Sequence, residues 1–547
     1  MRPAAISFLL LVIIIVVVVV SIARQQYHGE ARRHQGIRTR RHVDEHHEDA
    51  YFEAYPDNRT THPPPWYAYK PMTGIDDMIN RIFSFFMDVP TSNELGARAE
   101  FAAYALADTS NDHLHNATTE ELISEAGFGY ESYYVEATDG YITQLVRIIN
   151  PLADQSQLKQ PPVAMFHGAV ADSSMYITSS TIQHHPEKWP RDVNVDGPMT
   201  SWNRSLGFVL ANNGYDVWLV GTRGSNQANQ GHRYLKKPYS IFRPDFNFMD
   251  LDVIFKYWSN MTLDDVAEKE IPVQLDKILH VTGAPRVSVV SYSMSTLLTV
   301  NFLQSRPEHS AKVHNYIQLA PLLSENNSNN LQKFLYRTFY TLEPNLGALL
   351  LPEFILSQPM RDFALAIAGP LLTRYTIIRP AITMLLGPTP KYSTLYEINF
   401  IAHNAVPVAF KQEQHLGQIV RAKRLQKYDF GNPLENMAHY NIPEPPEFQM
   451  RNIRPANWLI VSAEHDPYST REDVQDYIAK VGKKPYRHLY VRRANHVDLI
   501  YMTDNDYVIN APIVEFMDRF PLESNSSLDH TGELINIDLP DRSVGGL

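Results

Sequence analysis

Val287-Ser-Val-Val-Ser-Tyr-Ser-Met-Ser-Thr-Leu-Leu298 passes from an apolar, strand-like run straight into a helix-like one, with Ser293 at the junction. A serine on such a sharp strand-to-helix turn is how G-x-S-x-G sites present a nucleophilic hydroxyl, the glycines two residues either side letting neighbouring backbones crowd together. Here both glycine positions carry serine, Ser291 and Ser295. Two readings follow from this stretch: a working nucleophile in an altered turn, or the remnant of a site that no longer reacts.

A serine hydroxyl reacts only when a histidine takes its proton, and the histidine needs an acid to fix its tautomer and stabilise the imidazolium. On an open parallel sheet these groups converge by standing on loops after the carboxyl ends of different strands. Short apolar runs predict strands at Tyr133 to Ala137, Ile142 to Ile148, Val163 to His167, Asp216 to Val220, Val287 to Val290, Tyr316 to Ala320, Trp458 to Val461 and His488 to Val491. Helices are expected over 271–281, beyond Ser295, and over 470–481, the last with Thr470 and Asp473 at capping spacing and Gly482 at the stop. Strands alternating with helices imply a parallel sheet covered on both faces. Ser293 follows one strand, Asp466 lies five residues beyond Val461, and His496 five beyond Val491. The order Ser, Asp, His is that of α/β-hydrolases. His167-Gly168-Ala169 follows an earlier strand, where this fold places an oxyanion donor, so the N–H groups of Ala169 and Met294 are the candidates for holding the developing charge.

Composition narrows the partners. A net charge of -11 argues against nucleic acid, which needs a concentrated positive surface. The 547 residues contain no cysteine, so no disulfide, thiolate metal site or cysteine nucleophile is available. Residues 4–23 (AAISFLLLVIIIVVVVVSIA) carry no charge and match a ~30 Å hydrocarbon core. They read as a signal anchor or a cleaved signal peptide. Arg24, Arg32, Arg33 and Arg38 outnumber Arg2, which by the positive-inside tendency puts the body in the cytosol. The sequons at Asn58, Asn116, Asn203, Asn260, Asn326 and Asn525, all glycosylation candidates, lean towards the lumen.

Seven segments result. After the membrane segment come an Arg/His-rich stalk expected to be disordered (24–50), an extension without assigned function (51–117), a first α/β core (118–320), a helical cap (321–455), a second core part (456–520) and a tail (521–547). His42, His46 and His47 in the stalk read as solvated residues in preference to a metal site, and Arg38-Thr39-Arg40-Arg41 has a dibasic, processing-site look. Within the cap, the apolar stretch from Leu346 to Gly387 is interrupted by Arg361, Asp362, Arg374 and Arg379. It is expected to form a buried helical core, compatible with an inner face for a lipid chain and a rim touching a membrane or lipid-droplet surface.

The chain from about Thr118 to Phe520 resembles the acid lipase family of gastric and lysosomal lipases. The likeness is carried in order by TTEELISEAGFGYESYYVEATDGYITQLVRI, MFHGAVADSS, FVLANNGYDVWLVGTRGSN, IPVQLDKILHVTGAPRVSVVSYSMST, LQKYDFGNPLENMAHYN, SAEHDPYSTREDV and RRANHVDLIY. It implies an α/β-hydrolase fold with a mostly parallel central sheet and a large helical cap inserted after the nucleophile-bearing half. It further implies hydrolysis of lipid esters such as acylglycerols or sterol esters, and a nucleophile at Ser293, an acid at Asp466, a base at His496 and an oxyanion hole at Ala169 and Met294. No cofactor is implied, since acyl transfer by this route needs none. A secreted or lumenal body is implied too, against the arginine count. The family elbow reads G-H-S-Q-G, whereas this chain has Tyr292 and Met294 around the serine and serine at both glycines. Arg223, in Gly221-Thr222-Arg223-Gly224, is expected to be a structural ion-pairing residue. The other reading of the chain is a catalytically silent module that binds lipid or protein.

Overall fold

In the computed structural model, which describes residues 117–178, 205–235, 251–259, 261–324, 326–327, 353–354, 387, 406, 408–502, 504–522 and 530–539, the expected hairpin closes at Asp139-Gly140. Gly140 takes φ 95°, a left-handed conformation that only glycine adopts freely. It joins β1 (Gly129–Glu136) to β2 (Tyr141–Ile149). Next come β3 (Lys159–Phe166), β4 (Tyr215–Val220), β5 (Gly231–His232), β6 (Val287–Tyr292), β7 (Val313–Leu319), β8 (Glu353–Phe354), β9 (Val408–Ala409), β10 (Asn457–Ala463), β11 (Arg487–Arg492) and β12 (Glu533–Asp538).

Ten of these form one sheet in the order β1-β2-β4-β3-β6-β7-β10-β11-β12, with β5 paired to β2. β2 is antiparallel to its neighbours, and every pairing from β4 to β12 is parallel. Strand alternation explains why both faces are dry. In β4, Val217 and Leu219 enter one apolar layer while Trp218 and Val220 enter the other. In β10, Leu459 and Val461 share the first layer while Trp458 and Ile460 share the second. Each fully buried Val or Leu contributes roughly 1.5–3 kcal/mol. The near-continuous apolar runs noted in the sequence therefore belong to central parallel strands.

The covering helices begin and end on the expected chemistry. Thr118 and Glu121 form a reciprocal capping box ahead of Thr119–Glu125. Ile271–Thr282 starts with a proline in its first turn and stops at Gly283, whose φ is 69°. Thr470 accepts the Asp473 N–H ahead of Arg471–Val481, and Gly482 ends that helix at φ 68°. The sheet order and the flanking helices make this an α/β-hydrolase fold.

Two features depart from the sequence reading. β7 starts at Val313 and ends at Leu319, because Ala320 turns to φ 46°. The tail at 521–547 supplies β12, an added parallel strand beside β11 in which Ile535 and Ile537 pack on the first apolar layer. Residues 4–23 and the stalk, all but Ala117 of the extension and most of the cap lie outside the described residues. Among the described residues, no helix is long and apolar enough to cross a membrane.

Candidate active site

β6 is buried along its whole length and delivers Ser293 to the start of the helix Met294–Ser305. Ser293 stands at φ 55° and ψ -122°, a strained conformation for a residue with a β-carbon. Hydrogen bonds on both sides of its backbone hold it there. Its N–H donates to the Leu319 carbonyl at the end of β7 (3.0 Å), and its own carbonyl accepts from the Thr296 N–H (2.9 Å) and hydroxyl (2.6 Å).

The loops after β10 and β11 bring Asp466 and His496 to the same place. His496 Nε2 lies 2.8 Å from Ser293 Oγ, and His496 Nδ1 lies 2.7 Å from Asp466 Oδ2. Asp466 is itself held in place: its Oδ1 accepts the N–H groups of Tyr468 (2.9 Å) and Ser469 (3.0 Å). With a carboxylate at Nδ1, the imidazole carries its proton there and leaves Nε2 to accept from the serine. The His496 loop is folded on itself, Asn495 Oδ1 taking the N–H groups of Val497 and Asp498 while Asp498 Oδ2 takes that of Asn495 (2.7 Å). All three members are nearly shielded from water, with 7% of Ser293, 5% of His496 and 4% of Asp466 exposed. Low exposure strengthens each polar contact in the chain.

A family model described as a partial alpha/beta-hydrolase lipase region matches residues 119–180. The gastric triacylglycerol lipase of Bos taurus is 26% identical over 409 residues, covering 73% of this chain and 90% of that protein. The lysosomal acid lipase/cholesteryl ester hydrolase of Macaca fascicularis is 25% identical over 413 residues, covering 74% and 92%. The chain is thus similar to lipases named gastric and lysosomal. Among solved structures, the carboxylesterase CesB of Bacillus subtilis aligns at a TM-score of 0.38 with 11% identity, covering 77% of this chain and 98% of that one.

At the elbow the structure gives contacts to Tyr292 and Ser295, which the sequence reading named only as replacements, and adds Tyr468, which it did not single out. Tyr292 is buried and its hydroxyl donates to the His496 carbonyl (3.0 Å). Ser295 Oγ accepts the Tyr292 N–H (2.8 Å) and lies 2.8 Å from the Phe166 carbonyl. Tyr468 sets its ring edge-on to His496, with centroids 5.0 Å apart. The available signal was the mismatch with G-H-S-Q-G itself: serine hydroxyls stand at both glycine positions and a larger ring at the histidine position.

The turn His167–Val170 runs beside Ser293. A β-carbon on Gly168 would lie 3.2 Å from Ser293 Cβ and 2.8 Å from Tyr292 Cδ1, so only glycine fits this close approach. Ala169 follows in that turn, and Met294 opens the helix, where first-turn N–H groups have no intrahelical acceptor. His167 braces the turn: its Nε2 lies 2.9 Å from Thr222 Oγ1, and burial lowers its proton affinity.

Arg223 is the ion-pairing residue expected. It is buried between Glu270 (2.6 Å) and Asp139 (2.8 Å) and lies 4.0 Å over the Tyr141 ring. Among the sequons only Asn326 is described, and its Nδ2 donates to Ser324 Oγ (3.1 Å). Asn58, Asn116, Asn203, Asn260 and Asn525 lie outside the described residues. Among the described residues, no group of three or more His, Asp or Glu side chains is set to hold a metal ion.

Proposed function

We propose that this chain hydrolyses carboxylic esters of lipids, such as acylglycerols or sterol esters, through a covalent acyl-enzyme. The observation that carries the reading is the unbroken hydrogen-bonded chain Asp466–His496–Ser293 ending on a serine held at φ 55°. The similarity to proteins named as triacylglycerol and cholesteryl ester lipases supports the substrate class.

In this mechanism Ser293 Oγ attacks the ester carbonyl carbon as its proton passes to His496 Nε2, and Asp466 stabilises the resulting imidazolium. The carbonyl oxygen becomes an oxyanion facing the N–H groups of Ala169 and Met294. Collapse breaks the ester C–O bond, and the departing alcohol takes the proton from Nε2. Water then attacks the acyl-enzyme, giving its proton to Nε2, and the second collapse returns that proton to Ser293 and releases the carboxylic acid.

The proposed setting is a secreted, lysosomal or otherwise lumenal body, in keeping with relatives named gastric and lysosomal. Tethering by residues 4–23 and contact with a membrane or droplet surface belong to the same proposal.

The test is to treat the full chain with a fluorophosphonate probe and map the labelled peptide. Label on Ser293, lost in Ser293→Ala together with ester turnover, is the expected result. Asp466→Asn should fold yet lose on the order of 10⁴-fold in turnover, because the amide favours the wrong imidazole tautomer. An unlabelled Ser293 in folded protein would favour the silent module.

A further inference from the structure

The two positions that distinguish this elbow most, Tyr292 and Ser295, each bond to a different loop of the site. Tyr292 reaches forward: its hydroxyl donates to the backbone carbonyl of His496, and its ring lies 5.2 Å from the imidazole, tilted by 36°. The same ring fills the space against Gly168, in the turn that carries Ala169. Burial pushes the Tyr292 phenol well above its ordinary range, so it stays a donor.

Ser295 reaches backward. Its hydroxyl oxygen accepts the Tyr292 N–H, and its single proton has two acceptors in range, the Phe166 carbonyl at 2.8 Å and the Tyr292 carbonyl at 2.9 Å. Phe166 ends β3 and directly precedes His167-Gly168-Ala169. A glycine at position 295 has no side chain with which to make either contact.

We propose that Tyr292 and Ser295 are positioning residues for hydrolysis, a hydrogen-bonded brace that registers the nucleophile turn against the base loop and the oxyanion strand. The inference rests on the reading of Ser293 as nucleophile. Glycine flanking lets an elbow pack closely; here two hydroxyls supply the register instead. Both acceptors belong to segments that carry the other reacting groups, and a small displacement of such groups costs rate steeply.

The experiment compares the full-length protein with Tyr292→Phe and Ser295→Ala, which keep the ring and the β-carbon and remove only a hydroxyl. Thermal melting, steady-state turnover of a short-chain p-nitrophenyl ester and the rate of fluorophosphonate labelling are measured on each. Each variant should lose about five- to twentyfold in kcat and in labelling rate with KM unchanged, as expected for one hydrogen bond lost between reacting segments. Variants that melt lower but keep kcat and labelling within twofold would reduce both hydroxyls to core packing and overturn the proposal. If the wild-type protein itself is unlabelled, the nucleophile reading fails, and the brace is read without catalysis from the imidazole ¹⁵N resonances of His496. A shift in Tyr292→Phe supports it; unchanged resonances overturn it.

Discussion

Gly387 packs against the backbone of His465, next to Asp466: a β-carbon placed on it would lie 1.9 Å from the His465 carbonyl oxygen. The same β-carbon would come 3.2 Å from Asn495 Cβ, so a side chain at position 387 would press on the neighbours of both Asp466 and His496. Its φ of 93° also disfavours any side chain. Gly387→Ala must therefore move backbone on one side or the other. We expect a loss of about 1–3 kcal/mol in stability, with slower labelling of Ser293. Thermal melts and labelling rates check both, and a variant unchanged in both would mean that this packing is absent in solution.

Ser291 and Ser295 stand at equivalent positions two residues either side of Ser293. The structure separates them. Ser291 Oγ makes a long contact to the Ile317 carbonyl at 3.4 Å, whereas Ser295 is bonded on two sides. Ser291→Gly should keep kcat within about twofold and cost up to about 1 kcal/mol in stability. Ser291→Val, forced against β7, should cost about 1–3 kcal/mol and abolish hydrolysis by spreading the elbow. Denaturant unfolding alongside ester turnover measures both variants.

Glu413, in the helix Phe410–Ala422, is buried, and desolvation pushes its carboxyl up to about 7 from 4.5. The folded state thus holds a proton that the unfolded chain releases between those values. Its stabilising contribution is full below about pH 4.5, declines as pH rises towards 7, and is absent above. Glu413→Gln should remove this slope and be the more stable protein at neutral pH, by at most a few kcal/mol. His488, held down to about 4 by burial, contributes with the opposite slope, so the wild-type minus variant difference is the quantity to plot.

β12 does more than extend the sheet. Asp538 pairs with Arg492 at 3.0 Å, and the Leu539 carbonyl accepts from Arg493, which sits at φ 65° three residues before His496. Deleting residues 523–547 should therefore slow Ser293 labelling, although no deleted residue belongs to the site. It should also expose the outer edge of β11 and promote association between chains. Labelling kinetics and light scattering test the two effects; full labelling speed would show that the base loop holds its shape alone.

The central strands and the positions of Ser293, Asp466 and His496 at the ends of three of them were legible because their signals are local. An apolar run of four to eight residues marks a buried parallel strand, and Asp466 and His496 could be picked out by their distance beyond such runs. The helix boundaries at Thr470 and Gly482 were readable for the same reason. β12 was not legible, since Glu533–Asp538 is short, half polar and stabilised only by β11 far earlier in sequence. The brace at Tyr292 and Ser295 was hidden likewise. Its acceptors, the carbonyls of Phe166 and His496, leave no trace in side-chain chemistry.

The positive φ at Ser293 also bears on directed evolution of this protein. Glycine at that position would relax the backbone and remove the hydroxyl, so Ser293→Gly is a candidate stabilising substitution and, with Ser293 as the proposed nucleophile, an inactive one. A selection that scored only soluble expression or heat resistance would reward that exchange. Any library screened for robustness therefore needs a simultaneous demand for turnover at this codon.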